Sequence, residues 1–177
     1  MYPLKIRAYM QVNDQVRKLM LSAIENETAE HLGLKLAAFL LFWKEELVVD
    51  PSLKSTALSG QTFRPDLLGT NIEGSVGMWV ECGNTSDHKL GKALRRWPDA
   101  RIVILKENQR QALAQRDMLK AKVPKSDRIA VYYFPDGEFK NWMNCLSENA
   151  EVIGEANDAG LNLVVNENLF VVDMGKC

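Results

Sequence analysis

The chain has 177 residues, a formal net charge of −1, 46% apolar residues and 25% charged residues. These values are typical of a globular protein, so they argue against a disordered chain, and the length fits a single domain, residues 1–177, with a sizeable core. The longest apolar run, residues 36–43, is too short to span a bilayer, which argues against a membrane protein.

Periodicity and turn residues predict strands and helices that alternate along the chain. In chain order we predict strands over residues 5–12, 15–22, 61–66, 76–82, 101–106 and 128–134, helices over residues 27–45, 87–97, 109–122 and 135–147, and a terminal meander of short strands over residues 151–173. Turns are expected at residues 13–14 and 69–74, and residues 16–24 also fit a helix. The alternation from Val76 onward predicts right-handed crossovers and a largely parallel central sheet.

The first predicted helix is unusually apolar. Asn26 is expected to cap it, and Glu27 and Glu30 suit the positive end of its dipole. Residues 32–43 are apolar nearly all round, so this helix should pack on several sides near the centre of the fold.

Cysteine usage indicates a reducing compartment. Cys82, Cys145 and Cys177 are odd in number and form no C-x-x-C pair, which suits free thiols. The first residues lack the apolar stretch of a signal peptide. We therefore expect a cytoplasmic protein.

Charge is unevenly distributed. Residues 86–128 hold 12 basic and 5 acidic residues, whereas the remainder holds 10 basic and 18 acidic residues. A segment this basic can attract a polyanion, although a set of solvated helix faces explains the same charges.

The residues that can carry chemistry lie between Arg64 and Ala93. On the predicted strand 76–82, alternation places Glu81 opposite the apolar face, at the end of the strand, and Asp66 closes the preceding segment. Two such carboxylates at one sheet end are ligands that Mg²⁺ prefers, and a nearby lysine would supply positive charge to the reaction. From the residues alone, surface ion pairs remain an alternative explanation.

This stretch resembles a known family. The order R-P-D-L-L, then E-G, then M-W-V-E-C-G, then K-L-G-K-A is similar to the YaeQ pattern E-P-D-L-W, T-G, L-W-I-E-V-G and R-I-x-K-A. The chain departs from that pattern at Leu68, where the family has tryptophan, and at Asn84-Thr85, where it has Gln-Pro. Because the altered loop lies beside the site, the resemblance does not establish that this chain acts on the same substrate as the family.

The resemblance implies an α/β fold of the PD-(D/E)XK class, with a restriction-endonuclease-like mixed central sheet flanked by helices and a C-terminal β-meander. It assigns Asp66 and Glu81 to the motif. The superfamily's strand lysine would stand at Gly83, so the resemblance assigns the catalytic lysine to the next helix, at Lys92, with Lys89 on the same face.

The resemblance further implies Asp66, Glu81 and Lys92 as catalytic residues. Asp66 and Glu81 would bind Mg²⁺, with Glu30 as a third candidate, while Lys89, Arg95 and Arg96 would bind substrate phosphates. The expected protein is a Mg²⁺-dependent nuclease, a monomer whose partner is DNA or RNA and not a membrane. The alternative is an inactive nuclease-like fold that binds nucleic acid or a protein of the transcription or repair machinery.

Overall fold

The computed structural model describes residues 1–177, which form eleven strands and four helices. The strands are β1 (Lys5–Val12), β2 (Gln15–Ser22), β3 (Val48–Val49), β4 (Leu67–Thr70), β5 (Val76–Cys82), β6 (Arg101–Lys106), β7 (Ile129–Tyr133), β8 (Asn149–Asn157), β9 (Gly160–Val165), β10 (Asn168–Asp173) and β11 (Gly175–Lys176). The helices are α1 (Ala29–Leu41), α2 (Asp87–Arg96), α3 (Gln109–Lys122) and α4 (Glu138–Cys145).

The strands form two mixed sheets. One has the order β10-β9-β8-β1-β2, and only its β1–β8 pair is parallel. The other has the order β11-β7-β6-β5-β4-β3, with β5, β6 and β7 parallel and the outer strands antiparallel. The predicted meander is confirmed as β8–β10, but it belongs to a separate sheet because β8 pairs with β1.

Helix α1 lies between the two sheets and organises the larger core. All of its residues from Leu32 to Leu41 are buried, and the leucine, alanine and phenylalanine side chains among them join a cluster with residues of both sheets and α4. Helices α2 and α3 cover the other face of the six-stranded sheet, where Trp79, Trp97 and Ile104 belong to a second apolar cluster. The prediction that the apolar helix is central is therefore confirmed.

For several elements, the predicted first and last residues agree with those in the structure. Strands β1, β2 and β6 and helix α3 coincide with their predicted ranges, so the helical alternative for residues 16–24 is wrong. Positive backbone φ angles at Asn13 and Asp14 confirm the turn between β1 and β2.

Two local predictions are wrong. Residues 61–66 are not a strand; the strand begins at Leu67, where pairing with Val80 starts, and so occupies part of the predicted turn. Asn26 does not cap α1, because its φ is 67° and Thr28 takes that role by accepting a hydrogen bond from the His31 amide. No helix is both long and apolar enough to cross a membrane.

Candidate functional site

Asp66 lies just before β4, against the end of β5. Its Oδ2 atom accepts a hydrogen bond from the Cys82 amide at 2.7 Å, and its Oδ1 atom lies 3.2 Å from His31 Nε2. Burial alone would raise the pKa of Asp66, but the His31 contact, the Cys82 amide and the Lys35 charge lower it below its usual value. Asp66 is therefore ionised at neutral pH.

His31 and Lys35 are four residues apart on α1 and lie on one side of it, and Glu27, which precedes the helix, joins them there. Glu27 Oε1 lies 3.2 Å from His31 Nδ1, and it also accepts a hydrogen bond from Lys35. The Glu27 Oε2 atom accepts from the Ile24 amide at 2.9 Å, which fixes the carboxylate. Glu27 therefore does more than complement the helix dipole.

Lys35 is the centre of this group, and its side chain is only 1% exposed. Besides Glu27, its Nζ atom lies 2.7 Å from Asp50 Oδ1 and 3.9 Å from Asp66 Oδ1. Asp50 reaches the site because its amide bonds the Asp66 carbonyl at the end of β3. Burial would lower the pKa of Lys35, but its hydrogen bonds to Asp50 and Glu27 outweigh this and raise it. We call Glu27, His31, Lys35, Asp50 and Asp66 the Asp66 cluster.

Part of the Asp66 cluster has the donor set of a cation site. One ligand atom each from Glu27, His31 and Asp66 lies within 4.8 Å of the others. The His31 Nε2 atom is buried and makes no well-formed hydrogen bond, although it is 3.2 Å from Asp66. An unpartnered imidazole nitrogen beside two carboxylates fits Mn²⁺ or a similar transition metal, while Mg²⁺ prefers oxygen ligands. The site therefore fits a divalent cation.

Glu30 and Glu81, the other predicted ligands, are not part of the three-residue group that Asp66 forms with Glu27 and His31. Glu30 is half-buried one position before His31, and Glu27 instead faces the cluster. Burial is the main cause of the raised pKa of Glu81, and the charge of Asp66 raises it further. A cation shared by Asp66 and Glu81 stays a prediction.

Glu81 forms a separate group on the α2 side of β5. Its Oε1 atom accepts from Trp79 Nε1 at 2.8 Å, and Lys89 Nζ lies 2.8 Å from Oε1 and 3.0 Å from Oε2. Burial raises the pKa of Glu81 to about 7, against the attraction of Lys89. We call Trp79, Glu81 and Lys89 the Glu81 cluster.

The remaining predicted residues follow α2 away from this site. Lys92 is half-buried, and its ammonium lies 5.7 Å from the centre of the Phe63 ring, with no ion pair to Asp66 or Glu81. Arg95 and Arg96 are exposed in the last turn, and Arg95 borders a cavity with Lys125 and Arg128. Lys89, and not Lys92, is the lysine of α2 that contacts a motif carboxylate.

Gly83 has a φ of +72°, so a lysine at this position would require strained backbone. The neighbouring strand places Lys106 beside it, because Cys82 pairs with Leu105 and Lys106 Nζ donates to the Gly83 carbonyl at 2.5 Å. Lys106 is 4% exposed, and burial lowers its pKa although Glu107 opposes this. This second buried lysine at the sheet end was not predicted.

A cleft of about 260 Å³ opens beside these groups, lined among others by His31, Cys82, Gly83, Asn84 and Gln111. His31 is the member of the Asp66 cluster that reaches this cleft. The Cys82 side chain is buried, and burial raises the pKa of its thiol well above the usual value, so it is a packed thiol and not a nucleophile. All three cysteines are free, as predicted.

Sequence reasoning missed Lys35, Asp50 and Lys106. Lys35 had a usable signal, since it is the one charge within the apolar stretch 32–43, and a buried lysine requires anionic partners. Asp50 had none, because its approach depends on the pairing of β3 with β4.

Comparison with known proteins identifies relatives of this fold. A profile of the family described as YaeQ protein matches residues 11–173. The crystal structure of the YaeQ protein from Xanthomonas axonopodis pv. citri is similar at 18% identity and a TM-score of 0.73, covering 98% of this chain and 97% of that chain. That of the YaeQ protein from Pseudomonas syringae is similar at 14% identity and 0.68, covering 97% and 93%. No curated protein matches this chain.

Proposed function

The chain belongs to the YaeQ family, and we propose that it is a divalent-metal-dependent phosphodiesterase acting on DNA or RNA. The Asp66 cluster carries this proposal. Three carboxylates meet there, and Lys35 is the one lysine among them. One lysine does not balance three carboxylates, and an excess of buried negative charge is costly, so a bound cation would stabilise the arrangement.

Three residues would hold that cation. Asp66 offers an ionised carboxylate, Glu27 offers a carboxylate oxygen, and His31 offers a ring nitrogen, its Nε2 atom making no well-formed hydrogen bond. The Cys82 amide holds the Asp66 carboxylate in place by donating to its Oδ2 atom. When bound, Mg²⁺ or Mn²⁺ would polarise a phosphoryl oxygen and lower the pKa of a water molecule.

The Glu81 cluster would complete the reaction. A bond forms between water oxygen and phosphorus while the bond from phosphorus to the leaving oxygen breaks. Glu81, with a pKa of about 7, suits the uptake of the proton that water releases. Lys89 is 26% exposed and would turn from Glu81 to the phosphate, where its charge stabilises the transition state. The leaving oxygen takes its proton from solvent.

Two observations favour a second function. Both oxygens of Glu81 are already bonded to Lys89 or Trp79, and the same sheet end has Gly83 in place of a strand lysine. A fold that binds nucleic acid without cutting it would keep this arrangement unchanged.

Cleavage of labelled DNA and RNA in the presence of Mg²⁺ or Mn²⁺ distinguishes the two functions. The phosphodiesterase proposal expects metal-dependent products that Asp66→Asn reduces by about a hundredfold or more. The matched control is Asp99→Asn, an exposed aspartate after α2, which should keep full activity. Binding without products in the wild type would favour the non-cutting function.

A further inference from the structure

A large basic cavity lies at the opposite end of the six-stranded sheet from the Asp66 cluster. Its volume is about 920 Å³, and the basic residues of its lining are Arg101, Arg116, Lys120, Lys125, Arg128 and Lys176. The acidic residues of the lining are only Asp117 and Asp127. A smaller cavity of about 330 Å³ adjoins it and shares Lys125 and Arg128, with Arg95 as its third basic residue and no acidic one. We call the two together the basic cavity.

Most of these cations have no carboxylate partner. Arg101 pairs with Asp158 at 3.0 Å, whereas Lys120, Lys125, Arg128 and Lys176 form no ion pair. Even the two aspartates in the lining are not paired with them. The charge excess is therefore available to a ligand.

The loop that carries Lys125 is held in one conformation. Arg116 donates to the backbone oxygens of Ser126 at 2.9 Å, Ile129 at 2.5 Å and Cys177 at 2.7 Å. Arg128 donates to the Pro98 carbonyl, and Lys125 has a φ of +60°, which is uncommon for a residue other than glycine. The backbone that carries Lys125 and Arg128 at the edge of the basic cavity is therefore held in place before a ligand binds.

Helix ends explain only part of this charge. Lys120 lies in the last turn of α3 and complements the negative end of its dipole. Lys125 and Arg128 come from the following loop, Arg101 from the start of β6 and Lys176 from β11. Convergence of cations from four separate segments on one concavity is what a phosphate-binding surface requires.

We propose that the basic cavity binds the phosphate backbone of a nucleic-acid strand. The six residues of β6 separate it from the sheet end of the Asp66 cluster by about 20 Å. That distance is about six phosphates of one strand in B-form geometry. Helix α2 links the two ends, with Lys89 at the Glu81 cluster, Lys92 along its length and Arg95 at the basic cavity.

This inference extends the proposed function, since the same strand would run from the basic cavity toward the Asp66 cluster. Binding at the basic cavity does not depend on cleavage, however, because none of its residues belongs to the Asp66 or Glu81 cluster. The two proposals can therefore fail separately.

The test is fluorescence anisotropy with labelled single-stranded and double-stranded oligonucleotides at low and moderate salt. The double variant Lys120→Glu/Lys125→Glu should weaken binding by at least about tenfold and lower the slope of log affinity against log salt by about two. The control is Lys18→Glu/Lys140→Glu, which makes the same charge change at exposed positions on β2 and α4. The control variant should bind the oligonucleotides several-fold more tightly than Lys120→Glu/Lys125→Glu does.

Equal losses in both double variants, or no loss in either, would overturn the inference. So would displacement of the strand by a mononucleotide at similar concentration, which would indicate a small phosphorylated ligand. Binding that is lost in Lys120→Glu/Lys125→Glu while the wild type cuts nothing would support this inference and count against the proposed phosphodiesterase. Cleavage by the wild type, together with an unchanged affinity in Lys120→Glu/Lys125→Glu, would support the phosphodiesterase and count against this inference.

Discussion

Lys89 covers Glu81: its ammonium lies 2.8 Å from one carboxylate oxygen and 3.0 Å from the other. Ser86 caps α2 by accepting from the Lys89 amide, and this places Lys89 in the first turn, directly above the end of β5. Lys92 lies almost one turn further along and faces Phe63. The positive charge nearest to the strand carboxylate therefore comes from Lys89.

Replacement of Lys89 should reduce cleavage more than replacement of Lys92. We expect Lys89→Ala to slow single-turnover cleavage by about a hundredfold, because a charge aimed at the transition state contributes several kcal/mol. Lys92→Ala, the matched control, should change the rate by less than about fivefold. A larger loss for Lys92→Ala would restore the lysine that the family resemblance indicated.

Loss of Lys35 should destabilise the fold strongly. Lys35→Met leaves Glu27, Asp50 and Asp66 without their shared cation, and removal of one partner from a buried ion pair costs about 3–5 kcal/mol. Urea unfolding measures this change. The exposed Lys44 supplies the control, since Lys44→Met should stay within about 0.5 kcal/mol. A Lys35→Met loss below about 1 kcal/mol would mean that the cluster is not electrostatically coupled.

Glu81 should make stability fall as pH rises. Its pKa is raised from 4.5 to about 7, so between these values the folded protein holds a proton that the unfolded chain releases. The contribution is fully present below pH 4.5 and is lost as pH approaches 7, by about 3 kcal/mol in all.

Urea unfolding at pH 5 and pH 8, on either side of most of this transition, checks the prediction. Glu81→Gln should remove the decrease, because glutamine does not titrate in this range. Glu73→Gln, at an exposed position in the turn before β5, should leave it in place. An unchanged pH dependence in Glu81→Gln would contradict the raised pKa.

Gly154 should not tolerate a side chain. Its φ is +145°, and an added Cβ would lie 2.2 Å from the Asn162 carbonyl oxygen of the paired strand β9. We expect Gly154→Ala to lower the free energy of unfolding by more than about 2 kcal/mol. Gly60→Ala, where φ is also positive but nothing lies within 4 Å, should cost about 1 kcal/mol. Equal losses would show that the contact with β9 has no effect.

The sequence predicted elements whose pattern is local. The alternation in β1 and β2, the apolar run of β6 and the polar pattern of α3 each identify an element within its own residues. The division into two sheets depends instead on the parallel pairing of β1 with β8, which are separated by more than a hundred residues. Periodicity carries no information about such a partner.

The candidate site was predictable to a similar extent. Asp66 lies against the end of β5, the strand that carries Glu81, but the partners of both carboxylates depend on contacts between distant segments. Glu30 was assigned from the family resemblance, whereas Glu27 is the glutamate that contacts His31 and Lys35. Glu27 precedes the Thr28 cap, so helical periodicity could not indicate the direction of its side chain.

Calorimetric titration of the wild-type protein with Mn²⁺ tests the cation site most directly. We predict one binding site per chain that His31→Gln and Asp66→Asn each weaken by at least about tenfold. Glu30→Gln, which changes the glutamate outside the cluster, should bind as the wild type does. Absence of Mn²⁺ binding, or unchanged affinity in Asp66→Asn, would contradict the assignment of the Asp66 cluster as a metal centre.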